Sequence, residues 1–575
     1  MAIVLLKATV ASVDLQAVLL STGNDDMMRL LAIRDWLGGQ GWYDTTQYRV
    51  TPPEGVVMHW SRYLDLAIAA ILVPLSAVFA MPLAEMLTVV IWPTLLMLVL
   101  IVTIGFGTRH VFGTGPACLA MLTAVVWPFT SDFYFGAGHI DHHNVQVLML
   151  VAMTLAAIWP DRALAAGVTS GIAAAFSLAI GLENLLYILA LGLLLLLRTI
   201  FRVGDDQNQR LWAFCLSLLI AAVLLWVGQV APSRLLLPVC DQLGTPILSL
   251  IGIAVVASVL ATFRTASKPL VSVMISAGLT ATGCALAWPI LGPCIANPYA
   301  TLPIEVQTII SGSITEALPA VDFATRFPFL FNQMMTPVLS AVAVGTGMWW
   351  LNRKSETSRL PQHDAVAQLI VLSLVGLLAS FSQVRLLAMT SAVVPLLAGY
   401  GLWGLFRRWR QTRSPGGAVV LIIAGVLILA PRIMQTPFEP FLPRGQASAS
   451  DTTRSCATSG AMSGLNNLPQ SSVLSPMNLG PLLLITTHHN ALSSPYHRSA
   501  IAVANGLLPF QMAEAEMKQY VTTSGADYLI LCAGANHGDS FATMLANGST
   551  ADWLEPVTVD ASGILVFAVR STATD

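Results

Sequence analysis

Residues 23–62 read GNDDMMRLLAIRDWLGGQGWYDTTQYRVTPPEGVVMHWSR, a densely polar stretch in a chain that is otherwise mostly apolar. Its adjacent carboxylates, Asp25 and Asp26, come shortly after an apolar N-terminal run, Ile3–Leu20. We interpret that run as a retained membrane helix rather than a signal peptide, because it lacks a convincing small-residue cleavage site. The carboxylates then lie at a membrane surface, where charge is costly unless it binds a cation or takes part in chemistry.

Composition places the rest of the chain in a membrane as well. Of its 575 residues, 55% are apolar and only 10% are charged, against about 25% charged residues in soluble domains. The net charge of -2 provides no basic surface for nucleic acid, and no nucleic-acid-binding motif is recognisable. We therefore expect an integral membrane protein without a nucleic-acid partner.

Apolar runs of about 20 residues predict the membrane spans. Leu64–Phe79 is short and contains Pro74, so we expect it to lie along the membrane surface. With the N-terminal helix there are about thirteen spans, which make residues 1–431 a multi-span α-helical membrane domain. Beyond the N-terminal helix, the runs fall near 85–106, 115–130, 145–160, 163–181, 185–198, 211–230, 245–263, 270–292, 333–352, 364–381, 386–405 and 417–431.

The distribution of Lys and Arg predicts which loops face the cytoplasm, because basic loops are retained on that side. Loops 23–62, 131–146 and 293–332 are acidic or polar and are assigned to the opposite side, although not every basic loop fits a strict alternation of these spans. We expect a multi-pass protein of the plasma (inner) membrane with these loops on the periplasmic, extracytoplasmic side.

The tail, residues 432–575, changes composition towards Ser, Thr, Asn and Gly. Short runs at 482–486, 528–532 and 564–569 have strand character, and 509–520 has helical character. We expect a small extracytoplasmic α/β domain, preceded by a mobile loop or linker at 448–465.

The seven cysteines show no CxxC spacing, which argues against a metal site built on thiolates. Cys240 and Cys294 lie at the ends of apolar segments, and Cys456 and Cys532 lie in the tail. Either pair could form a disulfide in an oxidising compartment, but unpaired buried thiols are the more ordinary outcome.

Asp25 and Asp26 have an ordinary interpretation beside the chemical one. Polar residues open helices, so Asn24 and Asp25 could cap a helix that starts at Met27. Adjacent carboxylates cannot point the same way on a helix, so one could face a metal or substrate while the other faces solvent or caps the helix. Capping and catalysis are therefore compatible.

The second loop contains Gly-His-Ile-Asp-His-His-Asn at 138–144. Imidazole and carboxylate groups at this density can bind a divalent metal, with His favouring zinc or manganese and carboxylates favouring magnesium or manganese. Any single histidine here is more simply a polar residue at a helix end. His139, Asp141, His142 and His143 lie within five residues, which favours a functional role.

Further polar groups at segment ends suit a phosphate or a sugar. Arg385 begins a span and could bind a phosphate or extend to the membrane surface. His59 and Arg62 flank Trp60 and Ser61, and they suit a pyrophosphate and a sugar or serve as interfacial anchors. Glu183 ends an apolar run, whereas Glu316 in Ser313–Glu316 would ordinarily be solvated.

This layout resembles the GT-C superfamily of glycosyltransferases, and most closely the catalytic subunit of oligosaccharyltransferases. The resemblance covers two acidic external loops, surface-lying helices in the first of them, a long late loop, about thirteen spans and a C-terminal domain. Members of the superfamily transfer a sugar from a polyprenyl-phosphate or polyprenyl-diphosphate carrier.

The resemblance also implies roles for individual residues. Asp25 or Asp26 corresponds to the acidic residue of the first loop, and Asp141 to that of the second. Ser313–Glu316 resembles the family's SVSE or TIxE signature, whose Glu completes a metal site. Arg385 would meet the carrier phosphate.

The tail departs from the oligosaccharyltransferase pattern. It lacks the WWD motif that reads the Asn-x-Ser/Thr acceptor, and its single tryptophan is Trp553. An acceptor of that kind is therefore not implied, while a lipid-linked donor is. The tail instead offers Tyr496, His497 and Arg498, which could descend on the membrane site.

We thus expect an inverting, metal-assisted transfer of a sugar or oligosaccharide from a polyprenyl-(di)phosphate carrier to an extracytoplasmic glycan, lipid or protein. Asp25 or Asp26 would act on the acceptor. A divalent cation, magnesium or manganese with zinc as a further option, would be held by Asp141, Glu316, His139 and His142. Arg385, His59 and Arg62 would bind the donor's phosphate or sugar, and Glu183, His143, Tyr496, His497 and Arg498 would contact acceptor or donor.

Two other classes of function are consistent with the sequence. A transporter or flippase of a lipid-linked or polar substrate predicts ionisable residues in mid-span, whereas 191–197 and similar mid-span stretches are purely apolar. A non-catalytic assembly subunit with a GT-C-like scaffold is the second alternative. The sequence names neither the sugar nor the acceptor.

Overall fold

The computed structural model describes residues 18, 23–127, 133–203, 206–263, 268–296, 303–304, 306–307, 315–353, 360–390, 392–430, 462–559 and 563–570. The predicted N-terminal helix Ile3–Leu20, apart from Val18, and most of the predicted linker 448–465 lie outside these residues.

Helices form the membrane domain. In chain order they are α1 (Asn24–Leu37), α2 (Arg62–Ser76), α3 (Met81–Phe112), α4 (Thr114–Val126), α5 (His143–Ala157), α6 (Ala163–Ile180), α7 (Leu185–Ile200), α8 (Gln207–Gln229), α9 (Thr245–Phe263), α10 (Pro269–Leu286), α11 (Trp288–Ala296), α12 (Ala320–Arg326), α13 (Pro328–Asn352), α14 (Leu360–Ala379), α15 (Arg385–Thr390), α16 (Val394–Thr412) and α17 (Pro415–Leu429). A short antiparallel hairpin with two residues in each strand, β1 (Thr46–Gln47) and β2 (Val56–Val57), lies between α1 and α2.

Seven of the described helices, α3, α6, α8, α9, α10, α13 and α14, are long and apolar enough to cross a membrane. Helices α4, α5, α7 and α17 are apolar but shorter. The bundle packs around a continuous apolar core that includes Leu100, Val147 and Leu396. The prediction of a multi-span α-helical membrane protein is therefore confirmed.

Two predicted spans are wrong in detail, and each is divided just before a proline. The run 386–405 is divided into α15 and α16, and Pro395 sits in the first turn of α16, where a proline, which has no N–H to donate, costs the helix no hydrogen bond. The run 270–292 is divided at Ala287, just before Trp288 and Pro289.

The tail forms a five-stranded sheet in the order β4-β3-β5-β7-β6. Strand β3 pairs in parallel with β4 and β5, and β7 pairs antiparallel with β5 and β6. Its elements are β3 (Ser472–Leu474), α18 (Gly480–Thr486), β4 (Asn490–Ala491), α19 (Ala500–Leu507), α20 (Glu514–Thr523), β5 (Tyr528–Cys532), α21 (Phe541–Ala546), β6 (Leu554–Pro556) and β7 (Ile564–Val569).

Most of the tail predictions hold. Strands at 528–532 and 564–569 are confirmed, and the helical stretch near 509–520 is a short 3-10 turn followed by α20. The strand at 482–486 is wrong, since this segment belongs to helix α18. A short apolar run does not distinguish strand from helix, and Pro481 near its start favours the helix.

The first loop and the tail share one apolar core. Met28 and Leu31 of α1 pack with Leu483 of the tail, and Trp60 packs with Tyr496. Backbone hydrogen bonds also join them, because Thr51 N–H donates to the Ala491 carbonyl and Ala491 N–H donates to the Arg49 carbonyl, both at 2.9 Å. The tail is thereby fixed against the first loop.

Candidate active site

Helix α1 places Asp25 and Asp26 in its first turn. The helix begins at Asn24 rather than at the predicted Met27, because Asp26 Oδ2 accepts a hydrogen bond from Gly23 N–H at 3.0 Å and closes the turn. Asp26 is buried, and its Oδ1 accepts hydrogen bonds from the backbone N–H groups of Ile140 (2.7 Å) and Asp141 (2.9 Å). Asp26 therefore fastens the second loop to the first.

Asp141 is the centre of the second loop. Its Oδ1 lies 2.7 Å from His142 Nδ1 and 3.2 Å from Arg29 Nη2. Its Oδ2 faces His143 Nε2 at 3.6 Å. Among the described residues this buried oxygen has no hydrogen-bond partner. The loop thus holds a carboxylate oxygen ready for a further ligand.

His142 links Asp141 to Glu183. Its second ring nitrogen, Nε2, lies 2.8 Å from Glu183 Oε1. Burial would lower the pKa of His142, but the two flanking carboxylates raise it well above its usual value. Burial would likewise raise the pKa of Asp141, but His142, His143 and Arg29 hold it well below its usual range. Asp141, His142 and Glu183 therefore form a compact row of side chains with alternating charges.

Arg385 lies near Glu183, at one end of the row formed by Asp141, His142 and Glu183. Burial would raise the pKa of Glu183, but His142, His143 and Arg385 together lower it. The Arg385 guanidinium is half-buried, and its Nε donates to Gln383 Oε1 at 2.8 Å. The predicted phosphate-binding arginine and the acidic second loop therefore meet at the same end of the bundle.

Arg29 is a site residue that the sequence prediction left out. It is fully buried, donates to Asp65 Oδ1 (3.1 Å) and Asp141 Oδ1 (3.2 Å), and places its guanidinium 4.5 Å from the ring centroid of Trp60. A buried cation is tolerated only when it is paired in this way. Its position one helical turn after Asp25 was the available signal.

The tail contributes Tyr496 to the same region. Its hydroxyl donates to the Asn24 carbonyl at 3.2 Å. Burial, the charges of Asp25 and Asp141, and a hydrogen bond to Asp25 raise the pKa of Tyr496 well above its usual value. Tyr496 therefore lies close to both predicted acidic residues.

Other predicted site residues lie elsewhere. Arg62 is buried in the first loop, where its Nη atoms donate to Asp65 Oδ2, Gln40 Oε1 and the carbonyls of Ala32 and Asp44. These contacts occupy the groups that we expected to bind the donor.

His59, His497 and Arg498 gather around Asp241, which sequence reasoning missed. His139 stays beside the site, with its Nδ1 3.4 Å from Asp26 Oδ2.

Glu316 lies in a 3-10 turn, Thr315–Ala317. This turn reaches the Arg385 loop, because Val384 N–H donates to the Leu318 carbonyl at 2.8 Å. Ser313 and Ile314, the rest of the resembling motif, lie outside the described residues. The segment is thus next to the predicted phosphate-binding arginine.

The donor set around Asp141 suits a divalent cation. Ligand atoms of Asp141, His142 and His143 lie within 4.8 Å of one another. Imidazole and carboxylate groups are typical ligands of zinc and manganese, and His143 supplies the imidazole here, because both ring nitrogens of His142 already face carboxylates. The buried, unpartnered Asp141 Oδ2 is the observation that fits such an ion. His143, which we predicted to contact the substrate, lies within this group of ligand atoms. His139, which we predicted to bind the metal, instead lies beside Asp26.

Neither protein-family models nor curated protein sequences match this chain. Its fold, by contrast, matches solved structures of an oligosaccharyltransferase from Archaeoglobus fulgidus. The structure tethered by a disulfide to an acceptor peptide with the NVT sequon has a TM-score of 0.63 and 13% identity, and covers 99% of this chain and 74% of that chain.

Two further structures of that enzyme also match the fold of this chain. Its complex with an inhibitory peptide and a dolichol-phosphate has a TM-score of 0.63 and 13% identity, and covers 100% and 74% of the two chains. Its complex with Zn and sulfate has a TM-score of 0.57 and 13% identity, and covers 99% and 73%. At such identity the likeness shows the fold alone, which is that of the oligosaccharyltransferase structures.

Proposed function

We propose that this chain is a membrane glycosyltransferase that moves a sugar or oligosaccharide from a polyprenyl-phosphate or polyprenyl-diphosphate carrier to an extracytoplasmic acceptor. The supporting observation is one constellation on a GT-C fold. Asp25, the chain Asp141–His142–Glu183 and Arg385 come together at one end of the bundle, beneath Tyr496 of the tail. A base, a cation site and a phosphate-binding arginine are what this transfer needs.

Asp25 is assigned to the acceptor. Asp26 is occupied by backbone N–H groups and is buried, so it holds the second loop in place. Asp25 instead faces Tyr496, at the boundary between membrane domain and tail. An inverting transfer needs one base to deprotonate or orient the acceptor nucleophile, and such help contributes about 10²- to 10⁴-fold in rate.

Asp141 and His143, with His142 behind them, are assigned to the cation. When bound, a divalent ion neutralises charge on the departing phosphate. Zinc is a reasonable candidate because the structural neighbour was solved with it, and manganese and magnesium remain candidates by donor chemistry. We keep Glu316 as a proposed further ligand, since its backbone adjoins the Arg385 loop.

Arg385 is assigned to the carrier phosphate. Guanidinium groups bind phosphate oxygens through paired hydrogen bonds, and only Nε of Arg385 has a described hydrogen bond, to Gln383. Glu183 and His142 balance its charge and orient the second loop. The neighbour solved with dolichol-phosphate supports a carrier of this chemical kind.

The acceptor would bind between the first loop and the tail, and several classes of acceptor fit this position. The neighbour was solved with acceptor and inhibitory peptides, but this tail has a single tryptophan and no WWD motif. A glycan, a lipid or a protein acceptor is compatible with a site formed between the first loop and Tyr496.

The test uses the full-length protein in detergent with a radiolabelled polyprenyl-phosphate or polyprenyl-diphosphate sugar, and measures release of the carrier phosphate with and without added divalent metal. We expect Asp25→Asn, His143→Ala and Arg385→Ala each to lower release by about 10²-fold or more. Asp539→Asn, a change at an exposed carboxylate of the tail, is the matched control and should keep full release.

Chelation supplies the second arm of this test. Treatment with EDTA should abolish release, and added Mn²⁺, Mg²⁺ or Zn²⁺ should restore it. Unchanged release by all three variants would overturn the proposed site. Metal-driven uptake of the substrate into vesicles without carrier release would instead indicate a transporter.

A further inference from the structure

A second cluster of metal-binding side chains lies away from Asp141. Ligand atoms of His59, Asp241 and His497 lie within 4.8 Å of one another. The three residues come from different parts of the chain: the first loop, the loop before α9, and the tail. The cluster therefore sits where the tail meets the membrane domain.

His59 provides a donor without another described use. Among the residues that the structure describes, its ring makes no hydrogen bond and contacts the rings of Trp60 and His497, with centroids 6.0 and 5.1 Å away. The ring is half-buried, and a neutral imidazole nitrogen is a common metal ligand in proteins. Its nitrogen faces Asp241 and His497 rather than a phosphate site.

Asp241 is oriented as a metal-binding carboxylate would be. Arg498 donates to both of its oxygens, from Nε at 2.8 Å and from Nη2 at 2.6 Å. His497 Nε2 lies 2.7 Å from Oδ2. Ligating carboxylates are commonly held by such outer hydrogen bonds. A cation would take the place of the proton shared by His497 and Asp241, and Arg498 would keep its contacts.

Each ligand is adjacent to an anchored residue. Asp241 follows Cys240, which forms a disulfide with Cys294. His59 precedes the buried Trp60, and His497 follows the buried Tyr496, whose rings pack edge to face at 5.5 Å. The cluster is therefore preorganised, which lowers the ordering cost of binding an ion.

We propose that His59, Asp241 and His497 form a second divalent-cation site, of the zinc class, that fastens the tail to the membrane domain. Two imidazoles and one carboxylate are zinc-class donors, and water completes the coordination. The role is structural, because the ion would join three segments that come from different parts of the chain. The proposal does not depend on the transferase assignment.

Zinc content of the full-length protein tests this site separately from the first. The chelator-stripped protein is equilibrated with Zn²⁺, and bound zinc per chain is measured by mass spectrometry. The variants are built on His143→Ala, which removes a ligand of the candidate active site. We expect this parent to retain a zinc ion, and addition of His59→Ala or His497→Gln to remove it.

The choice of variants keeps the experiment interpretable. Gln at 497 retains an N–H donor towards Asp241 but loses the imidazole. His488→Ala alters an exposed histidine of the same domain and should leave zinc content unchanged. Circular dichroism and gel filtration confirm that each variant is folded.

Stability and spectroscopy give independent readouts. Zinc should raise the melting temperature of the His143→Ala protein but not that of the double variants, and cobalt should give tetrahedral d–d absorption that follows the same pattern. Equal zinc content in the His143→Ala protein and both double variants would overturn the proposal. So would absence of zinc from the His143→Ala protein.

Discussion

Asp25 and Asp26 are neighbours in the sequence but have different surroundings. Asp26 accepts three backbone hydrogen bonds, from Gly23, Ile140 and Asp141. The charge of Asp25 instead helps to raise the pKa of Tyr496 in the tail. We therefore propose that Asp26 positions the second loop and that Asp25 acts on the acceptor.

The pair offers a matched experiment. Asp26→Asn removes the charge from hydrogen bonds that contribute about 1.5–3 kcal/mol each, so the melting temperature should fall and turnover should fall with it. Asp25→Asn should leave the melting temperature close to that of the wild type and nearly abolish turnover. Thermal unfolding and carrier release measured on the same preparations check both. A stable and active Asp25→Asn protein would contradict the assignment.

Single residues could be predicted from sequence where polar groups cluster. Asp141 and Glu183, which the structure brings together through His142, were both among the predicted site residues. Arg62 was misplaced, because one sequence cannot show that Asp65, Gln40 and two backbone carbonyls occupy its guanidinium. Asp241 was missed because its partners lie more than two hundred residues away in the chain.

At the scale of elements, the buried side chain of Arg210 caps the carboxyl end of a neighbouring helix. Arg210 at the start of α8 donates to the carbonyls of Ala156 (3.2 Å), Ala157 (3.0 Å) and Trp159 (2.7 Å) at the end of α5. The last carbonyls of a helix generally lack donors within that helix, although the Ala156 carbonyl also accepts from Trp159 N–H at 3.2 Å. Arg210 thus supports α5, whose other end begins at His143.

Arg210→Met should therefore destabilise the bundle. It removes the Arg210 donor from the buried Ala157 carbonyl, and an unsatisfied buried group costs about 1–3 kcal/mol. We expect a clearly lower melting temperature in detergent. Arg408→Met, at an exposed arginine of α16, is the control and should melt like the wild type. Equal melting temperatures for the two variants would show that Arg210 does not stabilise the end of α5.

Elements could be predicted where their apolar runs were long. Helices α6, α8, α9 and α13 lie close to the expected boundaries, because long apolar runs fix helices of membrane length. The short run 482–486 was assigned wrongly, since four consecutive apolar residues fit either a strand or a helix. Two predicted long runs are each divided into two helices in the structure, and the second helix of each pair has a proline, Pro395 or Pro289, in its first turn.

For the whole molecule, the first loop connects the membrane domain to the tail. Arg49 donates to the carbonyls of Thr487 (2.7 Å) and His489 (3.3 Å) and to that of Leu484. The adjoining backbone pairs with Ala491 at the edge of the sheet. The tail consequently holds Tyr496 above the acidic residues.

Removing this connection should loosen the tail. Arg49→Met should speed hydrogen–deuterium exchange at the amides of Thr51 and Ala491, because the backbone pairing loses its neighbouring anchor. Lys518→Met, at an exposed lysine of α20, serves as the control. Exchange at these two amides that matches the wild type would show that Arg49 does not hold the two parts together.

Composition and long apolar runs were sufficient to predict a multi-span helical membrane protein, and the short strand-like runs of the tail were sufficient to predict a C-terminal α/β region. The packing of the tail against the first loop could not be predicted, because it depends on contacts between Trp60 and Tyr496 and between Arg498 and Asp241. Such contacts join residues far apart in the chain and leave no local periodicity.

A cryo-EM map of the full-length protein with a bound polyprenyl phosphate and a divalent cation tests the central claim most directly. We predict phosphate density within hydrogen-bonding distance of Arg385, and cation density between Asp141 and His143. Phosphate bound elsewhere on the protein, with Arg385 and the second loop free of ligand, would contradict the account.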